Sequence, residues 1–334
     1  MREEIAVLRI NREKEPDMPV LRVDPWDPEM GASLEPLDEA EEKIPSVDLK
    51  AEGVAWAPIA PPAPPSFPRC AFIDGVRRID VRLFAEEGGV IAPGLAGSWA
   101  VGVAWACQPS EIEPIRQGRA LVVGGGLTCP DLIARIGTQE LRYIHSVVAG
   151  SGPLDAIQGL QNTMRREEAG LARDIFAAGQ AELLVLDGPL TYFSARGAVV
   201  GLIKRQSRAY LPPDRTPILR RLRAGERTPL FGISERLDRY SWYTRLAVGR
   251  PIDGALAGIV RLEIAASVGL MAARQIADQV TAILPAFASE PWRDSCAPQN
   301  LYPVGCLEAV LRHRLGDPLL VRRAVESAIW EAYV

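Results

Sequence analysis

A long helical stretch lies between two short apolar runs, and each run ends in Asp-Gly. The runs are Ala71-Phe72-Ile73-Asp74-Gly75 and Leu184-Val185-Leu186-Asp187-Gly188. From about Leu154 to Ala178, Ile157, Leu160, Met164, Leu171 and Ile175 recur at spacings of three, four and seven, the signature of one helix face. Strand, helix and strand in that order predict a mixed α/β fold with helices flanking a sheet.

Further apolar runs extend the pattern. VRRIDVRLFAEE (76–87) alternates basic and apolar residues at period two, the mark of a half-buried strand. Strands are also predicted at 98–107, 119–126, 197–207, 242–248 and 258–265, and helices at 269–284, 305–315 and 318–332. A chain of 334 residues makes one large domain or two ordinary ones.

Residues 88–110 carry no charge, but Pro93 and five glycines interrupt them. A membrane-spanning helix needs about 20 predominantly apolar residues. Two short buried strands with a glycine turn between them are expected there instead.

The formal charge of −4 excludes binding to nucleic acid by bulk positive charge. The sign is uneven, however. Residues 1–60 hold 15 acidic and 7 basic residues, and the remainder hold 27 and 31. Residues 1–57 therefore read as an acidic N-terminal arm, with IAVLRI (5–10) and PVLRVD (19–24) as short strands. Residues 58–69 read as a linker or strap, because 58–68 contain six prolines. The main domain spans 70–334. The five cysteines, Cys70, Cys107, Cys129, Cys296 and Cys306, are odd in number and show no CxxC pair. A disulfide framework and a zinc knuckle are both disfavoured. The N-terminus carries no apolar signal segment, so a cytoplasmic location is expected.

The chemistry is concentrated at the two Asp-Gly endings. If the strands are neighbours, Asp74 and Asp187 point into one site, where carboxylates suit a hard divalent cation. Asp-Gly is also a common turn after a strand. The helix offers a third carboxylate. On its wheel, Glu168 lies about 40° from the apolar centre and Glu167 about 60° on the other side. The competing reading is a solvated RREE face of ion pairs. Lys204 follows an apolar strand and opens the segment 204–227, which has eight basic and two acidic residues. Such a segment suits phosphate contacts, and it also suits a solvated loop. Gly124-Gly125-Gly126 lacks the rest of a dinucleotide fingerprint. No GK[ST] and no GxSxG occurs.

Six motifs occur in the order known for one family: AFIDG (71–75), LLVLDGPL (183–190), GLIKRQS (201–207), SWYTRL (241–246), VRLEIA (260–265) and APQNLYPVGCLEAVLRHRLGD (297–317). Over roughly residues 70–330 the chain resembles the NurA nucleases, more their bacterial than their archaeal branch. The resemblance implies a ribonuclease H-like core, Mn²⁺- or Mg²⁺-dependent DNA nuclease activity with two ions, and a homodimer. It also implies action with a HerA-type hexameric ATPase in DNA end resection. The family's metal-binding aspartates match Asp74 and Asp187, and its helix glutamate falls at Glu168 or Glu167. Its basic residue matches Lys204 and its C-terminal tyrosine matches Tyr302. Where the archaeal pattern has a histidine, this chain has Val310. Glu308 or His313 then supplies the last ligand. Arg77, Arg78, Arg205 and Arg208 are expected to contact DNA.

Two other readings compete. One is a catalytically weak subunit that docks on the ATPase through its acidic arm. The other is an unrelated α/β hydrolase of a small phosphoester, for which a long basic segment has no use.

Overall fold

The computed structural model describes residues 19–24, 46–64, 66–106, 111–193, 197–205, 208–234, 237–250, 252–290, 292 and 297–332. The expected strand at 5–10 lies outside them, as do Cys107 and Cys296. The first half is mostly strand: β1 (Val20–Val23), β2 (Ser46–Asp48), β3 (Cys70–Glu87), β4 (Val90–Trp105), β5 (Glu111–Val123), β6 (Leu132–Ile136) and β7 (Gln139–Val147). Helix α1 (Pro153–Ala177) leads to β8 (Leu183–Asp187) and β9 (Val199–Ile203). Then come α2 (Pro217–Arg221), β10 (Phe231–Ser234), β11 (Arg239–Arg245), β12 (Ile259–Ala265), α3 (Leu270–Ile283), α4 (Tyr302–Arg314) and α5 (Pro318–Glu331).

The strands form one mixed sheet in the order β2-β10-β11-β12-β9-β8-β3-β4-β5-β7-β6, with β1 paired to β3. Strands β3, β4 and β5 are an antiparallel meander, whereas β8 runs parallel to β3 and β9 parallel to β8. Side chains alternate across β3. Ala71 and Ile73 pack with Met164 and Leu171 of α1, while Phe72 and Val76 pack with Leu307 and Leu311 of α4. The two helices therefore cover opposite faces. Helix α5 packs Val321, Val325 and Ile329 over the outer part of β3 and the β6–β7 hairpin.

Strands β6, β7 and β10 and helix α2 form where the sequence reading predicts no element, and two of the predicted elements differ. AFIDG does not end a strand: β3 continues through Gly75 to Glu87. Nor do residues 88–110 make two strands. Gly88 and Gly89, at φ of 56° and 83°, turn the chain, and 90–105 run on as the single strand β4. The internal glycines stay in the strand and admit Leu160 and Leu307 against it. Among the described residues no helix is long and apolar enough to cross a membrane.

The long strand β3 has an interrupted edge. Strand β8 pairs with it only over Cys70–Ile73, and β1 only over Leu83–Glu86. Residues 74–81 have no paired strand on that edge among the described residues. This notch opens where β8 stops.

Residues 46–48 join the same sheet. Strand β2 pairs with β10. Glu52 then enters the interior, where its oxygens accept from the Arg227 guanidinium at 2.8 and 2.9 Å and from Leu230 N–H at 2.6 Å. Asp278 Oδ1 accepts from Arg227 Nε at 2.7 Å. Arg227, at the end of the basic segment, is 0% exposed. Leu211, Ile218, Leu219 and Leu222 of that segment are also buried, so much of it is packed structure.

Burial alone would raise the Glu52 pKa, but Arg227, the Leu230 N–H and Arg274 outweigh it and hold the carboxyl below its ordinary value. Its contribution to stability is therefore full above the unfolded carboxylate pKa and is lost as pH falls through the lower folded value. Glu52→Ala leaves a buried arginine with one fewer partner, so we expect a loss of about 3–5 kcal/mol in urea unfolding at pH 7. A loss below about 1 kcal/mol would show that the pair adds little.

Candidate metal centre

Strands β3 and β8 are in register, with Ile73 opposite Leu186. Cys70–Ile73 and Leu183–Leu186 are buried on both faces, as expected of parallel strands inside a covered sheet. The next residue on each strand is an aspartate, so Asp74 and Asp187 stand side by side where pairing stops. Gly188 then turns the chain at φ 115° and donates its N–H to Leu202 O at 2.8 Å. The following loop is tied down by Leu190 N–H, which donates to Glu263 Oε1 at 2.7 Å. Burial alone would raise the Glu263 pKa, but Arg261, Arg239 and the Leu190 N–H hold it low.

Helix α4 adds Glu308 beside the buried Leu307. One carboxylate oxygen from each of Asp74, Asp187 and Glu308 lies within 4.8 Å of the others. Lys204, just past β9, donates to Asp187 Oδ2 at 2.6 Å and to Asn300 Oδ1 at 2.6 Å. Glu308 also pairs loosely with Arg312 at 3.4 Å.

Glu168 approaches from the α1 face, and Gly75 explains how. A Cβ built on Gly75 would lie 2.6 Å from Glu168 Oε1, 2.9 Å from Met164 Cγ and 2.9 Å from Val101 Cγ1. The carboxylate occupies space that any other residue would fill. Arg165 Nη1 donates to Glu168 Oε2 at 2.9 Å and also to the Asp187 carbonyl. It thereby ties α1 to the end of β8. The RREE stretch does hold an i,i+3 ion pair, but here it is mostly buried. Glu167 is half-buried, whereas Glu168 is 3% exposed.

This concentration of acid has an electrostatic consequence. Burial, then Asp187, Glu168 and Glu308, push the Asp74 carboxyl well above the ordinary carboxylate range, and Lys204 opposes them. Burial disfavours the Lys204 ammonium, but Asp187, Asp74 and Glu308 outweigh it and raise its pKa. Asp74 Oδ2 is enclosed and has no hydrogen-bond donor among the described residues. An oxygen-only donor set with an unsatisfied buried carboxylate fits a hard divalent cation. The acidic cluster can hold a metal ion.

The other expected residues are more dispersed. Arg77 donates to Gln161 of α1. Arg78 is turned inward: it donates to Asp80 Oδ1 at 2.8 Å and to the carbonyls of Gly316 and Leu315 at 2.7 and 3.1 Å, closing the end of α4. Arg205 is exposed beside Lys204, and Arg208 lies over the Tyr210 ring at 5.9 Å. Tyr302 lines a groove of about 690 Å³ with Phe67, Trp105 and Phe287. His313 is exposed in the last turn of α4. Sequence reasoning missed Arg165 as a bridge and Asn300 altogether. Arg165 reads only as part of the RREE ion-pair face, and Asn300 lies in the motif at 297–317 with no role of its own assigned to it.

Comparison with protein-family models finds no match, and comparison with curated proteins finds none.

Two outcomes follow from the geometry. The raised pKa of Asp74 means that its ionisation opposes folding as pH climbs above about 4, the unfolded value. Asp74→Asn is therefore expected to raise the metal-free Tm at pH 8, with the gain shrinking towards pH 4. Millimolar Mn²⁺ should raise the wild-type Tm and leave the variant's unchanged. A lower Tm for the variant at pH 8 would contradict this. Gly75→Ala should lower stability by about 1–3 kcal/mol through overpacking and weaken the Mn²⁺-induced Tm shift. An unchanged shift would show that Glu168 does not depend on the gap.

Proposed function

We propose that this chain is a divalent-metal-dependent DNA nuclease of the NurA type. The observation that carries the reading is the carboxylate cluster at the notch of the sheet, with a lysine held at its rim. The strand order β5-β4-β3-β8-β9, with β4 alone antiparallel to the rest, supports a ribonuclease H-like core. Glu308 sits two residues before Val310 and faces Asp74 and Asp187, which favours it over the exposed His313 as the last ligand.

Asp74, Asp187 and Glu308 would hold the cation, Mn²⁺ or Mg²⁺, with Glu168 adjacent. Bound there, such an ion supplies Lewis acidity and a water of lowered pKa. The neighbouring carboxylates and burial raise the Asp74 pKa; a cation held there would favour its ionised form, so affinity would rise with pH. Lys204 places a positive charge where a phosphodiester would approach, opposing repulsion between phosphate and carboxylates. Gly188 and the Arg165 bridge hold Asp187 and Glu168 in place. Action on DNA ends as a homodimer with a HerA-type hexameric ATPase is part of this proposal through the family resemblance.

The test is degradation of end-labelled single- and double-stranded DNA with Mn²⁺, Mg²⁺ or EDTA. Wild type is expected to cleave only with metal and to weaken steeply with salt. Asp74→Ala and Asp187→Ala should each lose at least about 100-fold in rate. Equal rates in wild type and both variants would overturn the assignment. Salt-independent cleavage of a small phosphomonoester instead would favour a small-molecule hydrolase.

A further inference from the structure

We propose that Asn300 is a positioning residue that aims the Lys204 ammonium at the substrate phosphate. This rests on the nuclease reading above and deepens it. A lysine is a flexible stem carrying a compact charge and three rotatable donors. Set beside carboxylates with no other acceptor, such an ammonium can swing among them. Here it cannot, because two acceptors hold it at once: Asp187 Oδ2 and Asn300 Oδ1, both at 2.6 Å. Among the described residues the third N–H has no hydrogen-bond acceptor, and it is the one that would meet an oxygen of the substrate.

Asn300 is suited to this role in two ways. Its acceptor is neutral, so it holds the cation without adding charge that would repel phosphate. It is also rigid. The residue is 7% exposed, its Oδ1 accepts from Leu301 N–H at 3.0 Å, and its main-chain oxygen accepts from Ser289 N–H at 2.9 Å. Both groups facing Oδ1 are donors, which fixes the amide orientation. Asn300 directly precedes the α4 segment that carries Glu308, so one rigid unit sets both the last carboxylate and the lysine.

The chain offers a direct readout, because Lys204 is the only lysine beyond Lys50. In the full-length protein labelled with [¹³C]lysine, an immobilised Lys204 gives two distinct Hε signals at one Cε. Mobile lysines give one. The signal is assigned by its loss in Lys204→Arg. Asn300→Leu should merge the pair, whereas Asn300→Asp, which keeps the acceptor, should preserve it. On DNA with Mn²⁺, Asn300→Leu should lower kcat by roughly tenfold or more and leave KM within about twofold. Asn300→Ser replaces it if the leucine variant lacks the wild-type unfolding transition. A preserved Hε pair in the leucine or serine variant, or a merged pair with unchanged kcat, would overturn the proposal. If wild type cleaves no DNA with any metal, the nuclease reading fails. The Hε signals then still decide whether Asn300 holds Lys204.

Discussion

Several carboxylates share one end of this sheet, and their mutual repulsion is the constraint around which the surrounding structure is arranged. Asp74 and Asp187 are adjacent because two parallel strands are in register and stop pairing one residue earlier. Glu308 arrives from one face of the sheet and Glu168 from the other. Such an arrangement disfavours folding unless something offsets the charge. Lys204 offsets part of it from the rim, and Arg165 offsets part of it beneath the strand. The remainder appears as the raised pKa of Asp74 and its unsatisfied oxygen. That remainder is stability given up at the acidic cluster, and a cation bound there would recover it.

The rest of the fold makes the arrangement rigid. Two buried carboxylates elsewhere are paired with arginines: Glu52 with Arg227, and Glu263 with Arg239 and Arg261. Asp80, left without a partner in the register where β3 bulges, accepts from Arg78, Ser98 and Tyr143. These groups differ from Asp74 in one respect: each has protein partners for its charge. The contrast sets Asp74 apart more clearly than burial does, since Glu263 is buried more deeply than Asp74.

Much of the site was legible because the end of an apolar run, and the residue that follows it, can be read locally. Two apolar runs of equal depth ending in aspartate need only lie side by side, and the helical pattern between them supplies the crossover that makes them parallel. Helical angle also favoured Glu168 over Glu167, because 100° per residue is dependable over a few turns. What stayed hidden depends on tertiary contacts. Asp74-Gly75 reads as a turn, but the glycine serves close approach inside a continuous strand. The uncharged stretch 88–110 reads as two strands, because glycines that admit neighbouring helices resemble glycines that turn the chain. The basic segment reads as a track for phosphate, yet Arg227 is its most deeply buried member. Asn300 lies within the last of the six motifs, but its contact with Lys204 forms only where the segment before α4 meets the end of β9.

The central claim is that the notch holds a hard divalent cation on Asp74, Asp187 and Glu308. Anomalous diffraction at the manganese edge, from crystals grown with Mn²⁺, tests it most directly. The account predicts an anomalous peak in contact with oxygens of all three carboxylates. Density showing the three side chains in place with no peak between them, or a peak only elsewhere on the molecule, would contradict it.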